Sequence, residues 1–289
     1  MPAPTPDRSE LLVTPQQLAS ELGGVNPPVL LDVRWRIDRP DGHDDYLAGH
    51  LPGAVYVSLD DELAEHGAPT DGRHPLPSAE RLAAASQRWG MTPDSAVVVY
   101  DDALSWAASR AWWMLRAAGL GNVRVLDGGL SAWQAAGLPL EMTVPRRSAE
   151  GISGTLGAMP SLSIDEAAAW ATDGQLLDAR APERYRGEVE PLDPKAGHIP
   201  GALNSPVSRV FDERGQFLSA QELQAQFADL GFDSTQPVGV YCGSGVSATP
   251  LVLALTLAGY QPALYPGSWS QWSNQPDRPV ATGSEPASK

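Results

Sequence analysis

Ala48-Gly49-His50-Leu51-Pro52-Gly53-Ala54 returns later in the chain as Ala196-Gly197-His198-Ile199-Pro200-Gly201-Ala202, with one change of Leu to Ile. Working outward from this pair, the surrounding sequence follows suit. Leu31-Asp32-Val33-Arg34 precedes the first copy and Leu177-Asp178-Ala179-Arg180 the second. After them come Ser78-Ala79-Glu80-Arg81-Leu82 and Ser219-Ala220-Gln221-Glu222-Leu223, then Val97-Val98-Val99-Tyr100 and Val238-Gly239-Val240-Tyr241. Ser131-Ala132-Trp133 and Ser270-Gln271-Trp272 complete the series. Five matches in one order, at nearly constant separation, identify a tandem duplication.

Each half alternates strand and helix signals. Short β-branched runs at Val29–Val33, Ala96–Tyr100 and Val123–Leu126 read as buried parallel strands. Thr14-Pro15-Gln16-Gln17 and Ser163-Ile164-Asp165-Glu166 fit a capping box, in which a hydroxyl and a later polar side chain satisfy free amides of the first helical turn. Pro15 suits that first turn, and Gly23 is expected to end its helix in the left-handed conformation. The pattern predicts an α/β fold built from two domains, each a mainly parallel sheet flanked by helices. Glu141–Pro160 lacks either periodicity and carries Gly, Ser and Pro, so it is read as a linker (141–160) between units at 1–140 and 161–289.

The 289 residues are enough for two domains, each expected to bury its own core. With 35 acidic and 20 basic residues the net charge is −15, which argues against nucleic acid or an anionic membrane as partner. A single cysteine excludes an intrachain disulfide and a multi-cysteine metal site. The amino-terminal stretch has no apolar segment of a secretion signal, and the apolar run around Val246–Leu257 is too short to span a bilayer. A cytoplasmic location without a resident metal or cofactor is the expectation.

The two copies part company at one loop. Val99-Tyr100 is followed by Asp101-Asp102-Ala103, whereas Val240-Tyr241 is followed by Cys242-Gly243-Ser244-Gly245-Val246-Ser247-Ala248. The cysteine therefore stands at the carboxyl end of a buried strand and before an apolar helix expected at Ser247–Ala258, where open α/β sheets bind ligands. Two glycines let the backbone curl so that amides point inward, and the helix start adds partial positive charge. Both favour a thiolate over a thiol. A phosphatase would need an arginine six residues on, and Ala248 stands there. A cysteine protease would need an oriented histidine and an acyl groove, for which the sequence offers no signal. The remaining chemistry is sulfur transfer through a persulfide, with a non-catalytic persulfide-carrying module as the reading from a different class.

On these motifs, together with Arg110-Ala111-Trp112-Trp113 and Gly267-Ser268-Trp269, the chain resembles a two-domain rhodanese of the thiosulfate and 3-mercaptopyruvate sulfurtransferase family. The resemblance covers nearly the whole length and implies a tandem pair of rhodanese-like domains. The amino-terminal one would be inactive, with Asp101 where the nucleophile was lost, and the carboxy-terminal one catalytic. The loop Cys242–Ala248 is similar to that of mercaptopyruvate-preferring members, with Ser247 in place of a threonine and expected to cap the helix. It carries none of the basic residues that suit thiosulfate, so mercaptopyruvate is the favoured donor and thiosulfate:cyanide transfer the alternative.

By the same resemblance, Cys242 is the nucleophile, Ser244, His74 and Asp60 form a proton relay, and Arg184 holds the donor's anionic end. Gly243, Gly245, Val246 and Ser247 would surround the donor with main-chain amides. The acceptor would be a small thiol, cyanide or a reduced thioredoxin-like protein. Family members that use mercaptopyruvate carry a second arginine in the segment aligned with Glu188–Lys195. None occurs here, and Lys195 is the candidate point charge in its place. His50 and His198, present in both halves, are assigned a shared structural role, as are the Asp32/Arg34 and Asp178/Arg180 pairs. Trp106, Trp112 and Trp113 are read as packing residues, and Trp269 as a wall of the cleft.

Overall fold

The computed structural model of the chain describes residues 6–173, 175–232 and 234–286; the outer ends of the expected 1–140 and 161–289 units lie outside the described residues. In the first half, strands β1 (Leu12–Val13), β2 (Val29–Asp32), β3 (Val55–Tyr56), β4 (Val97–Tyr100) and β5 (Val123–Leu126) form one parallel sheet in the order β1-β5-β4-β2-β3. In the second, β6 (Leu176–Asp178), β7 (Leu203–Asn204), β8 (Pro237–Tyr241) and β9 (Gln261–Leu264) form a parallel sheet in the order β7-β6-β8-β9. The two orders superimpose except at one edge, where β1 is reduced in the second half to a parallel bridge between Ser161 and Leu264. Strands β2 and β4 are buried at every position, because helices cover both faces of the sheet.

Both capping boxes form. Thr14 accepts from the Gln17 amide ahead of the Pro15–Leu22 helix, and Ser163 from Glu166 ahead of Ile164–Thr172. Gly23 departs from expectation: its φ is −81°, so the helix closes right-handed and runs on into a turn in which the Gly24 amide bonds the Glu21 carbonyl at 3.0 Å. Ser247 does not cap the apolar helix either. That helix runs Thr249–Leu257 behind Ala248, which is itself helical, and Thr249 turns its hydroxyl back to the Val246 carbonyl at 2.7 Å.

The same polar frame recurs in each half. Arg34 donates to the Asp32 carboxylate and, at 2.6 Å, to the Gly49 carbonyl; Arg180 does the same to Asp178 and, at 2.7 Å, to Gly197. His50 is stacked on Tyr46 and His198 on Tyr185, each with Nδ1 2.8 Å from that tyrosine's carbonyl. These four residues per half tie the Gly-His motif to the first long strand, which explains why both copies keep it. The frame is fully buried, so each charge is matched inside the fold.

The cores differ from expectation in one respect. Each half packs one sheet face against its own helices, around Trp133 in the first and Trp272 in the second. The other faces merge into a single apolar cluster running from Leu82, Trp112 and Trp113 to Val240, Leu251 and Leu255. The helices Trp106–Ala117 and Thr249–Leu257 pack against one another within it. Residues 142–160 carry no helix or strand and lie against the first half, with the Gly151 amide on the Met91 carbonyl and the Ala158 amide on Ala117. Among the described residues no helix is long and apolar enough to cross a membrane.

Candidate active site

β8 delivers Cys242 to the sheet's carboxyl edge, and the segment after β9 locks it there. The Cys242 amide donates to Ser268 Oγ at 3.1 Å, the Trp269 amide to the Cys242 carbonyl at 2.9 Å, and the Ser270 amide to the Gly243 carbonyl at 2.8 Å. Gly245 then turns left-handed, with φ +75°, and its amide donates to the cysteine sulfur at 3.2 Å. A side chain at Gly245 would meet the Pro266 carbonyl at 2.3 Å, so only glycine fits. Among the described residues the amides of Ser244, Val246 and Ser247 have no protein acceptor. One main-chain donor thus meets a sulfur that is 1% exposed, within a loop whose neighbouring amides are unspent.

The first half supplies the loop's polar neighbours. His74 Nδ1 lies 2.8 Å from Ser244 Oγ, and His74 Nε2 lies 3.5 Å from Asp60 Oδ1. The latter is an ion-pair distance rather than a hydrogen bond, and that buried oxygen has no hydrogen-bond partner among the described residues. Burial pulls the His74 pKa below its ordinary 6.5, against the opposing pull of Asp60. The ring is therefore neutral at neutral pH. Asp60 sits in the Leu59–Glu62 helix, whose Ser58 cap is served by Asp61, leaving Asp60 to face the histidine. The structure brings Ser244, His74 and Asp60 together across the seam between the halves, with Ser244 two residues beyond Cys242.

Arg184 also reaches the loop. Its Nη1 lies 3.4 Å from where a side chain on Gly243 would begin, while Nη2 and Nε are bonded to Glu190. Val246 is buried and Ser247 half-buried on the far side of the loop. Two readings are corrected. Lys195 is no part of the site: its ammonium donates to the Gln275 carbonyl at 2.7 Å and toward that of Arg278, because the shorter Glu188–Lys195 segment carries it to the carboxy-terminal side. Trp269 does not line a cleft: its ring is fully buried beneath the Arg180 guanidinium, 4.6 Å away, and its indole donates to the Lys195 carbonyl.

Three neighbours went unrecognised in the sequence. Trp35 stands edge-on to His74, with ring centroids 5.4 Å apart. Arg73, beside His74, lies 3.1 Å from the same Gly243 position as Arg184. Arg110, 0% exposed, donates to the carbonyls of Gly245, Leu63 and His74, so one guanidinium fastens the loop to the first half. Burial presses its pKa down to about 10, relieved in part by the charge of Cys242. Among the described residues no carboxylate pairs with it. Only its place within an apolar Trp-rich helix could have flagged it, as a charge buried where a charge is costly. A cavity of about 400 Å³ borders Arg73 and Asp193, and another of about 550 Å³ lies along the seam between Leu76 and Pro266; Cys242 lines neither.

Comparison with known proteins places the chain in a family. The Rhodanese-like domain model matches twice, at residues 14–136 and 163–275. A Mycobacterium tuberculosis protein named "Putative thiosulfate sulfurtransferase SseB" is 49% identical over 279 residues, covering 96% of this chain and 98% of that one. A Pseudomonas aeruginosa protein named "Probable 3-mercaptopyruvate sulfurtransferase" is 44% identical over 288 residues, covering 95% and 99%. The crystal structure of SseA from Escherichia coli, described among 3-mercaptopyruvate sulfotransferases with the "Rhodanese" fold, superimposes with a TM-score of 0.78 at 33% identity, covering 89% of this chain and 98% of that one. With both halves matched by one domain model and relatives aligned end to end, the chain belongs to the rhodanese family.

Proposed function

We propose that this chain is a sulfurtransferase that moves sulfur from 3-mercaptopyruvate through a Cys242 persulfide to a thiol or cyanide. The observation that carries the reading is the Gly245 amide on the Cys242 sulfur, within a loop whose next side chain, Ser244, touches His74. Main-chain donors stabilise an anionic sulfur without a metal, and stabilise equally the outer sulfur of a persulfide.

In the first half-reaction the Cys242 thiolate attacks the donor's sulfur. A sulfur–sulfur bond forms, the donor's carbon–sulfur bond breaks, and its electrons leave with pyruvate enolate. The donor thiol loses a proton and the enolate carbon gains one. A neutral His74 can take the first through Ser244, become an imidazolium facing Asp60, and return a proton by the same route. Arg184 holds the donor's carboxylate. In the second half-reaction an acceptor thiolate, or cyanide, attacks the outer sulfur; the new persulfide or thiocyanate leaves and the Cys242 thiolate returns. A reduced thioredoxin-like protein is one acceptor of this chemistry.

Thiosulfate is the second donor, favoured by the presence of two guanidinium groups beside Gly243, which suit a dianion. Its sulfite leaves without needing a proton, so the relay would be idle. The test is donor loading without acceptor, read by mass spectrometry of the intact protein. A gain of one sulfur atom is expected with wild type and none with Cys242→Ser. Loading that survives the substitution refutes the reading.

A further inference from the structure

The mercaptopyruvate reading asks for more than one guanidinium at the donor's carboxylate, and the Glu188–Lys195 segment offers none. We propose that Arg73, carried by the first half, is the second guanidinium that binds the donor's anionic end, closing a clamp with Arg184 across the seam.

The argument begins at Gly243, the residue after the nucleophile. A side chain there would begin 3.1 Å from Arg73 Nη2 and 3.4 Å from Arg184 Nη1, so both guanidinium groups stand against the same backbone position. Three of their other four nitrogens are occupied. Arg73 Nη1 is bonded to Asp193 Oδ1, Arg184 Nη2 lies 2.6 Å from Glu190 and 3.4 Å from Asp193 Oδ2, and Arg184 Nε is also on Glu190. Among the described residues, Arg73 Nη2 and Arg184 Nη1 have no hydrogen-bond partner. The two nitrogens that face the cysteine loop are thus among those left over. Asp193, its side chain 2% exposed, grips both arginines from behind and fixes their spacing, while the Arg73 amide is pinned to Ser270 Oγ at 3.0 Å. A small carboxylate set over Gly243 would receive one N–H from each half of the molecule, with its sulfur near Cys242.

The inference rests on the persulfide reading, and the experiment separates the two. Steady-state kinetics of the full chain with cyanide as acceptor would compare wild type, Arg73→Ala, Arg73→Lys, Arg184→Ala and Cys242→Ser on 3-mercaptopyruvate and on thiosulfate. Pyruvate, which has the carboxylate but no transferable sulfur, serves as inhibitor. Arg73→Ala is expected to raise KM for 3-mercaptopyruvate about tenfold and to weaken pyruvate inhibition by a similar factor, with a smaller loss of kcat. Arg73→Lys should recover part of the loss, since an ammonium restores charge but not the fork. A similar rise of KM for thiosulfate would mean that the clamp reads negative charge; a rise confined to 3-mercaptopyruvate would mean that it reads carboxylate. If Arg73→Ala leaves KM and pyruvate inhibition unchanged while Arg184→Ala raises both, Arg73 is no part of the clamp. Turnover by Cys242→Ser would instead overturn the persulfide reading beneath it.

Discussion

The loops after β4 and β8 are one design with two occupants. After Tyr100 the chain places Asp101, 1% exposed, whose carboxylate accepts the amides of Ala103 and Ser105 at 2.9 Å and Ala108 at 3.0 Å. Leu104 and Ser105 adopt positive φ to bring those amides round. After Tyr241 the chain places Cys242, with glycine at the left-handed position and one amide on the sulfur. The acid fills its own shell, with three main-chain donors shared between its two oxygens. The thiol takes one donor, and the amides of Ser244, Val246 and Ser247 are left without a protein acceptor among the described residues. The two loops are thereby distinguished by how many of their amides are already spent.

The sharpest way to break this comparison is to exchange the occupants. Cys242→Ser should lower sulfur loading and turnover at least about a thousandfold, because the persulfide has no other atom to form on. Adding Asp101→Cys to that variant should restore nothing measurable by cyanolysis. The first loop carries Leu104 where the second has Gly245 and Ala103 where it has Ser244, Asp102 lies 3.4 Å from Arg36, and no histidine stands where His74 stands. Recovery of activity in the double variant would show that the shell alone suffices.

Next in size is the relay. Ser244→Ala and His74→Ala should each depress turnover of 3-mercaptopyruvate about a hundredfold and that of thiosulfate by only a few fold. The two changes together should cost little more than either alone, since they interrupt one path. Because burial holds the His74 pKa below 6.5, the acid limb of the wild-type rate on 3-mercaptopyruvate should fall with a midpoint below 6.5. The groups facing that ring are Asp60, Ser244, Arg73, Arg110 and Trp35. A limb that persists unchanged in His74→Ala would assign the titration to another group.

Repeated elements were readable because identity at matched positions is visible along the chain; strands β2, β4 and β5, both capping boxes and the meeting of Ser244 with His74 follow from paired motifs and from the family resemblance. What sequence could not disclose lies at the seam. Arg73, Arg110 and Trp35 belong to the first half but act on a loop of the second, and nothing in their local sequence marks the contact. Lys195 was misread for the converse reason: its charge was counted, but the shortened segment that turns it toward Gln275 has no sequence signature. Gly23 and Ser247 failed on backbone geometry. A glycine or serine permits a cap without requiring one, and the adjoining turns had already satisfied the groups concerned.

The smallest expected effect is on stability and isolates the first loop. Burial lifts the Asp101 carboxyl from 3.8 to about 6, against three amides that favour its ionised form. The folded chain therefore holds this proton more tightly than the unfolded chain. Its contribution to stability is complete below about pH 4, where both states are protonated, and is lost as pH rises through about 6, where the folded carboxyl must ionise under cover. The loss is on the order of 3 kcal/mol. Urea unfolding of wild type and Asp101→Asn across this range should give curves that converge in slope above about pH 6 and diverge below it, because asparagine cannot titrate. Other raised carboxyls, Asp32 and Asp193, are common to both proteins and cancel in the difference. A difference that does not vary with pH would mean that the amides offset burial and that Asp101 is ionised in its shell across the whole range.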